Sequence, residues 1–188
     1  MHWASRVSNL LLKLEKSLIT VLAAVLVLLI LLNIVTRSLG AAIFWVDELA
    51  VYTMIWMALI GSSAMLRMRA GVAVTLVTDL LPAMFRRAVA RLVDGIVLMF
   101  AIILLLLVWQ WYEPVALLKS DFDLDVFAQN TFKFIYNEPT NTVGIRKFWV
   151  WLAVPLMAIN MTIHAVANLL EGPPDDTATG TQGEQPLV

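Results

Sequence analysis

The side chains able to hold a proton, an ion or a ligand are few, and most of them sit where long apolar runs end. Asn33 and Arg37 lie one helical turn apart, and Asp47 and Glu48 follow across a short connection. Arg37 can pair with Asp47 or Glu48 and pin two helices together, or it can snorkel to the interface and leave both acids hydrated. His164 offers metal ligation or proton transfer. A haem site would need a second histidine on a facing helix, and the other histidine is His2. Asp121, Asp123 and Asp125 alternate with Phe122, Leu124 and Val126. Carboxylates at every second position suggest a Ca²⁺ loop, but the glycine and terminal glutamate of an EF-hand are missing, so a solvated loop or docking surface is expected. The same alternation also fits a short, isolated strand. No acid or base falls in the centre of any apolar run, and Cys is absent. Catalytic residues, cofactors and metal ligands are therefore not expected.

What positions these groups follows from composition. Of 188 residues, 61% are apolar and 14% charged, too few charges to cover a water-facing surface. A net charge of −1 leaves no basic excess for nucleic acid. A bilayer core of about 30 Å needs about 20 apolar residues in a helix. Four runs meet that need, at residues 17–36, 49–66, 95–112 and 148–170. With no water in hydrocarbon to satisfy backbone groups, each must be helical. The expected fold is all-α: one four-helix transmembrane domain over residues 1–170, then a disordered tail over 171–188 rich in Pro, Gly, Thr and acid. The first run is too long for the apolar part of a signal peptide, so it is expected to stay as a span.

Sidedness follows from the basic residues. With the N-terminus inside, Arg6, Lys13, Lys16, Arg67, Arg69, Arg86, Arg87 and Arg91 face the cytoplasm. Arg37, Lys119, Lys133, Arg146 and Lys147 lie outside, the last four diluted by acids in the long loop 113–147. The same topology gathers Trp45, Trp109, Trp111, Trp149 and Trp151 at the outer boundary as an interfacial belt. Both ends are thus expected in the cytoplasm.

Residues 70–94 have helical periodicity on both sides of Pro82: Val72, Ala73, Leu76 and Val77 before it, and Met84, Phe85, Ala88 and Val89 after it. Two short interfacial helices are expected there, with Arg86, Arg87, Arg91 and Asp94 on the polar face; the alternative is that the second piece begins the third span. Ala58, Gly61, Ser62, Ser63 and Ala64 give the second span a small-residue face for close helix approach. Pro155 and Asn160 in the fourth span can serve packing or expose carbonyls to an ion, and packing is expected.

The segment from Trp45 to Pro82 resembles the signature region of the small membrane subunit of tripartite ATP-independent periplasmic (TRAP) transporters. The matching residues are Glu48, Trp56, Gly61 to Ala64, Arg67 and Arg69, Val72 to Val77, and Leu81-Pro82. Arg37 and the stretch Val143 to Ala158 are similar as well. Where the family often has His after the arginine turn, this chain has Gly71, so no role of that His carries over. The resemblance implies a scaffold bound to a large membrane subunit that takes up an organic acid with Na⁺ from a periplasmic binding protein. Arg37, Asp47, Glu48, Trp56, Gly61, Ser62, Arg67 and Arg69 are then structural or partner-interface residues, and Arg86, Arg87, Arg91 and the outer tryptophans interfacial anchors among membrane lipids. A membrane-anchor subunit of a redox enzyme is the alternative, opposed by the missing second histidine.

Overall fold

The computed structural model describes residues 2–69 and 83–172. The first expected interfacial helix, including Val72–Val77 and Leu81-Pro82, and the expected disordered tail from residue 173 onward lie outside the described residues. Among the described residues, four helical stretches are long and apolar enough to cross a membrane.

Helix α1 (His2–Ser38) runs unbroken for 37 residues, about 55 Å at 1.5 Å per residue. It therefore projects well past the charge-free run. Three of its hydroxyls turn back on the helix itself, Thr20 to the Lys16 carbonyl, Thr36 to Leu32 and Ser38 to Ile34, which satisfies them without water. The chain turns at Gly40, whose φ of +73° favours glycine. Helix α2 (Phe44–Arg67) then starts with Asp47 in its first turn and ends with Arg67 in its last, charges that complement the helix dipole.

Helix α3 (Ala83–Tyr112) is a single 30-residue element. Residues 83–94, expected as a separate surface helix, are its first three turns. No proline interrupts the stretch, and a lone Gly95 in open space costs too little to break a helix driven by the following apolar run.

The loop 113–147 folds into a cap, on which Asp121, Asp123 and Asp125 are exposed, as expected of a solvated acidic stretch. Helix α4 (Pro114–Lys119) opens on a proline suited to its first turn. Helix α5 (Leu124–Thr131) is capped by Asp123, whose Oδ1 accepts from the N–H groups of Asp125 at 2.9 Å and Val126 at 3.0 Å. Asp125 accepts from Asn137 Nδ2 at 3.0 Å. The alternating acids thus serve as turn, cap and tether. Phe127, Ile135 and Tyr136 bury against Val108 and Tyr112 of α3 and Ala158 of the fourth span. The Tyr136 hydroxyl donates to the Tyr112 carbonyl at 2.7 Å, and burial pushes its phenol pKa up, so it remains a donor. Among the described residues the β pairing is limited to an isolated bridge between Pro139 and Arg146.

The fourth span comprises α6 (Phe148–Trp151) and α7 (Ala153–Glu171). They are offset at Leu152 because Pro155 has no N–H for the Trp151 carbonyl one turn before it. Helix α7 packs on α1, α2 and α3, and α1 packs also on α2. Ala101 of α3 with Met157, Met161 and Ala165 of α7 forms a second core, closed by Leu59 and Leu66 of α2. The fourth span is the most enclosed of the four and the first the least.

Phe127, 1% exposed, anchors the cap. Phe127→Ala should cost about 3 kcal/mol of local stability. Limited proteolysis should then cut within 113–147 much faster while helical circular dichroism persists; unchanged cleavage would show that the cap does not depend on this core.

Candidate functional site

Polar side chains gather at the two ends of the bundle. At one end Arg37 Nη2 meets Asp47 Oδ2 at 2.6 Å, and its Nε donates to Asn33 Oδ1 at 2.8 Å. Asn33 in turn donates to the other Asp47 oxygen. The i, i+4 spacing of Asn33 and Arg37 on α1 thus grips the first turn of α2. The arginine is 60% exposed, so the ion pair itself adds little stability and acts mainly as a register mark.

Glu48 does not share in that pair. Its carboxylate reaches instead to the connection before the fourth span. Oε1 accepts from Asn141 N–H at 2.8 Å; Oε2 accepts from Thr142 N–H at 2.6 Å, the Thr142 hydroxyl at 2.6 Å and Val143 N–H at 3.0 Å. Tyr52, one turn on, donates its hydroxyl to Oε1. Consecutive backbone N–H groups aimed at one anion form a nest. Here the anion is the chain's own, and it ties α2 to the lead-in of the fourth span.

At the opposite end Arg67 lies where α1, α2 and α7 meet, its side chain 8% exposed. Nη1 donates to Asn168 Oδ1 at 2.6 Å and Glu171 Oε2 at 2.7 Å; Nη2 donates to Glu171 Oε1 and Asn9 Oδ1, both at 2.8 Å. Two parallel bonds to Glu171 use the planar fork that only arginine has. Arg69 turns back with φ of +51°, and its Nη2 reaches Asp94 Oδ2 at 2.9 Å, the Asn168 carbonyl at 2.8 Å and the Gly172 carbonyl at 2.9 Å. This brings in α3. Asp94, expected on a solvated polar face, is instead buried against Arg69. Burial of Asn168 is matched by donation of its Nδ2 to the Leu66 carbonyl at 2.9 Å.

Deeper along α1 and α7, Glu15 and His164 form a third group. Asn160 Nδ2 donates to Glu15 Oε1 at 2.9 Å. Both ring nitrogens of His164 are engaged by Ser8 and Glu15, which leaves none directed to a haem iron.

The remaining sequence-derived residues are placed as follows. Trp56 is half-buried midway along α2. Ser63 and Ala64 are buried, but Gly61 has open space where a Cβ would point, and exposed Ser62 donates to the Leu59 carbonyl at 2.7 Å. The small-residue face is thus divided between the interior and the outside of this chain. Arg86, Arg87 and Arg91 occupy the first turns of α3. Trp45, Trp109, Trp111, Trp149 and Trp151 gather at the Glu48 end, where the Trp111 and Trp151 rings meet edge-on at 5.7 Å.

Sequence reading missed Ser8, Asn9, Glu15, Asn168 and Glu171. A signal existed: Asn160, His164 and Asn168 recur every four residues on one face of α7, and Ser8 and Glu15 are spaced by two helical turns on α1.

Four spans with their polar groups paired at both ends define a multi-pass membrane protein of the helical-bundle class. Residues 26–173 match the DctQ component of the tripartite ATP-independent periplasmic transporters, and the chain belongs to that family. It is 24% identical over 193 residues to the C4-dicarboxylate TRAP transporter small permease protein DctQ of Vibrio cholerae serotype O1, an alignment covering 98% of this chain and 83% of that protein. The chain is thus the small permease component of a TRAP transporter, a transport protein of the inner membrane.

Arg67→Ala should cost roughly 2 kcal/mol, because buried Asn168 loses its donor. Arg67→Lys should recover only part of this, since an ammonium cannot reproduce the fork. Thermal unfolding followed by tryptophan emission measures both; a lysine variant as stable as the parent would remove the case for fork geometry.

Proposed function

We propose that this chain is the static scaffold of its transporter. It holds the large membrane subunit, which carries an organic acid inward with Na⁺ after a periplasmic binding protein delivers it, and it contributes no substrate or ion site of its own. The observation that carries this reading is the internal pairing of charges at both bundle ends. Arg37, Glu48, Arg67 and Arg69 each join separate elements, which makes a stiff body suited to resist tilting. The name of the Vibrio relative, a C4-dicarboxylate transporter component, supports a small organic acid as the cargo.

Both termini are cytoplasmic in this reading, supported by the basic-residue bias and the tryptophan belt. Arg86, Arg87 and Arg91 then lie at the cytoplasmic headgroups, each adding about 1 kcal/mol of interfacial anchoring. The outer tryptophans anchor the other side. Gly61, with room beside it, exposed Ser62 and half-buried Trp56 are the residues of α2 offered to the large subunit.

Replacing Arg86, Arg87 and Arg91 together by Glu should slow Na⁺-driven uptake in liposomes at matched complex content, with substrate affinity of the binding protein unchanged. Normal uptake would remove the anchoring mechanism. For topology, Ser120→Cys should react with an impermeant thiol reagent from the periplasmic side and Ala83→Cys should not; the reverse pattern would overturn the orientation.

A further inference from the structure

Where α5 ends, the cap carries two large apolar side chains that the described residues leave mostly uncovered. Phe132 is 84% exposed and Phe134 60%. Phe132 closes α5 in the left-handed region at φ of +55°, a position that usually takes Gly or Asn because a Cβ there crowds the following carbonyl. With so little of the ring covered, packing among the described residues does not offset that strain. Ile135 and Tyr136, which follow directly, are buried in the core of the cap, so the segment is fixed while the two phenylalanines face outward.

Between them Lys133 turns back onto α3. Its ammonium donates to the Gln110 carbonyl and lies 3.2 Å from Glu113 Oε2. Gln110 stands in the last turn of α3, where carbonyls lack a partner within the helix and attract a cation. This grip fixes depth as well as position. Gln110 belongs to the charge-free run 95–112, and Trp109 beside it is 61% exposed. The headgroup layer on each face of a bilayer is about 5–8 Å thick, so a segment held beside the last turn of a span lies within or next to it.

We propose that Phe132 and Phe134 form a membrane anchor of the cap: two rings seated in the phospholipid leaflet at the Glu48 end of the bundle, held at that depth by Lys133. Aromatic rings leave water at this boundary without entering the hydrocarbon centre, and exposed Trp109 continues the same surface onto α3. Recognition is apolar. The Lys133 ammonium is engaged by Gln110 and Glu113, and the exposed acids Asp121, Asp123 and Asp125 repel an anionic headgroup rather than attract it. The left-handed turn has a purpose in this arrangement, because a right-handed residue at Phe132 would continue α5 instead of returning the chain to α3. The cap is then attached on two sides, to the bundle through Phe127 and to lipid through Phe132 and Phe134. The inference needs only that the chain spans a membrane, and it stands apart from the scaffold role.

The chain has no cysteine, so single cysteines can be spin-labelled in the full-length protein in lipid nanodiscs. Oxygen partitions into lipid and a nickel chelate stays in water, and the ratio of their effects on a label reports its depth. Labels at Phe132→Cys and Phe134→Cys should give ratios between that of Ile103→Cys, midway along the span of α3, and that of Lys119→Cys, exposed at the end of α4. Adding Lys133→Ala should shift the Phe132→Cys label toward the nickel chelate. Ratios equal to that of Lys119→Cys would overturn the proposal, and so would a label that keeps its depth without Lys133. Binding of the large subunit then separates lipid from protein as the occupant. Retained oxygen access supports the anchor, whereas loss of access to both reagents would assign the phenylalanines to a protein contact instead. Phe134→Cys leaves the left-handed turn intact, so it reports even if Phe132→Cys disturbs the end of α5. No arm measures uptake, and failure here leaves the transport role untouched.

Discussion

A guanidinium cannot sit among apolar helices unless its donors are answered, and Arg67 is answered from two directions at once. Asn9 comes from the first span, Asn168 and Glu171 from the fourth. Each partner is correctly placed only if both helices have the right rotation and depth. The charge thereby sets the register of three spans, which apolar packing alone would leave loose because lipid tails compete equally for leucine and valine. Arg69 extends the arrangement to α3 through Asp94, and carbonyls freed at the end of α7 take its remaining hydrogen bonds.

The opposite end solves a similar problem with different chemistry. There the grip is a carboxylate in a nest of backbone N–H groups, assisted by hydroxyls of Thr142 and Tyr52. A guanidinium fork and a backbone nest are both directional, so the two ends resist rotation as well as separation. Between them, beside the Glu15, His164 and Asn160 group, α3 and α7 meet through apolar contacts, with Met157 and Met161 filling irregular space around Ala101 and Ala165. The offset at Pro155 allows the fourth span to meet the cap above and the arginines below.

The spans were legible because hydrocarbon thickness imposes a length on any apolar run that crosses it. The pairing of Arg37 with an acid of the next helix was legible too, though the choice of Asp47 over Glu48 was not, since adjacent residues point about 100° apart on a helix. Glu48 finds its partners far along the chain, in a connection whose backbone conformation no periodicity encodes. The pairing of Glu15 with His164 was hidden for the same reason: it depends on the relative depth of two helices distant in sequence. The helices of the cap were not legible because the alternating acids hide the cap residue Asp123, and because the core of the cap draws on Val108 and Tyr112 from within a membrane run. Residues 83–94 looked amphipathic, and they are, but an amphipathic segment without a breaker continues into whatever helix follows it.

Glu48 also imposes an order on synthesis. Its nest partner Asn141 lies 93 residues further along, and Asn168 stands 101 residues beyond Arg67. At ribosomal speeds of about 5–20 residues per second, the second helix waits roughly 5–20 s after emerging before either grip can close. During that interval the hairpin of the first two helices is held by their own packing, by Arg37 with Asp47 and by Arg67 with Asn9, contacts that need no later sequence. Short-range polar contacts at both ends of the hairpin, modest in the finished protein, thus help to keep it in register until the last helix arrives.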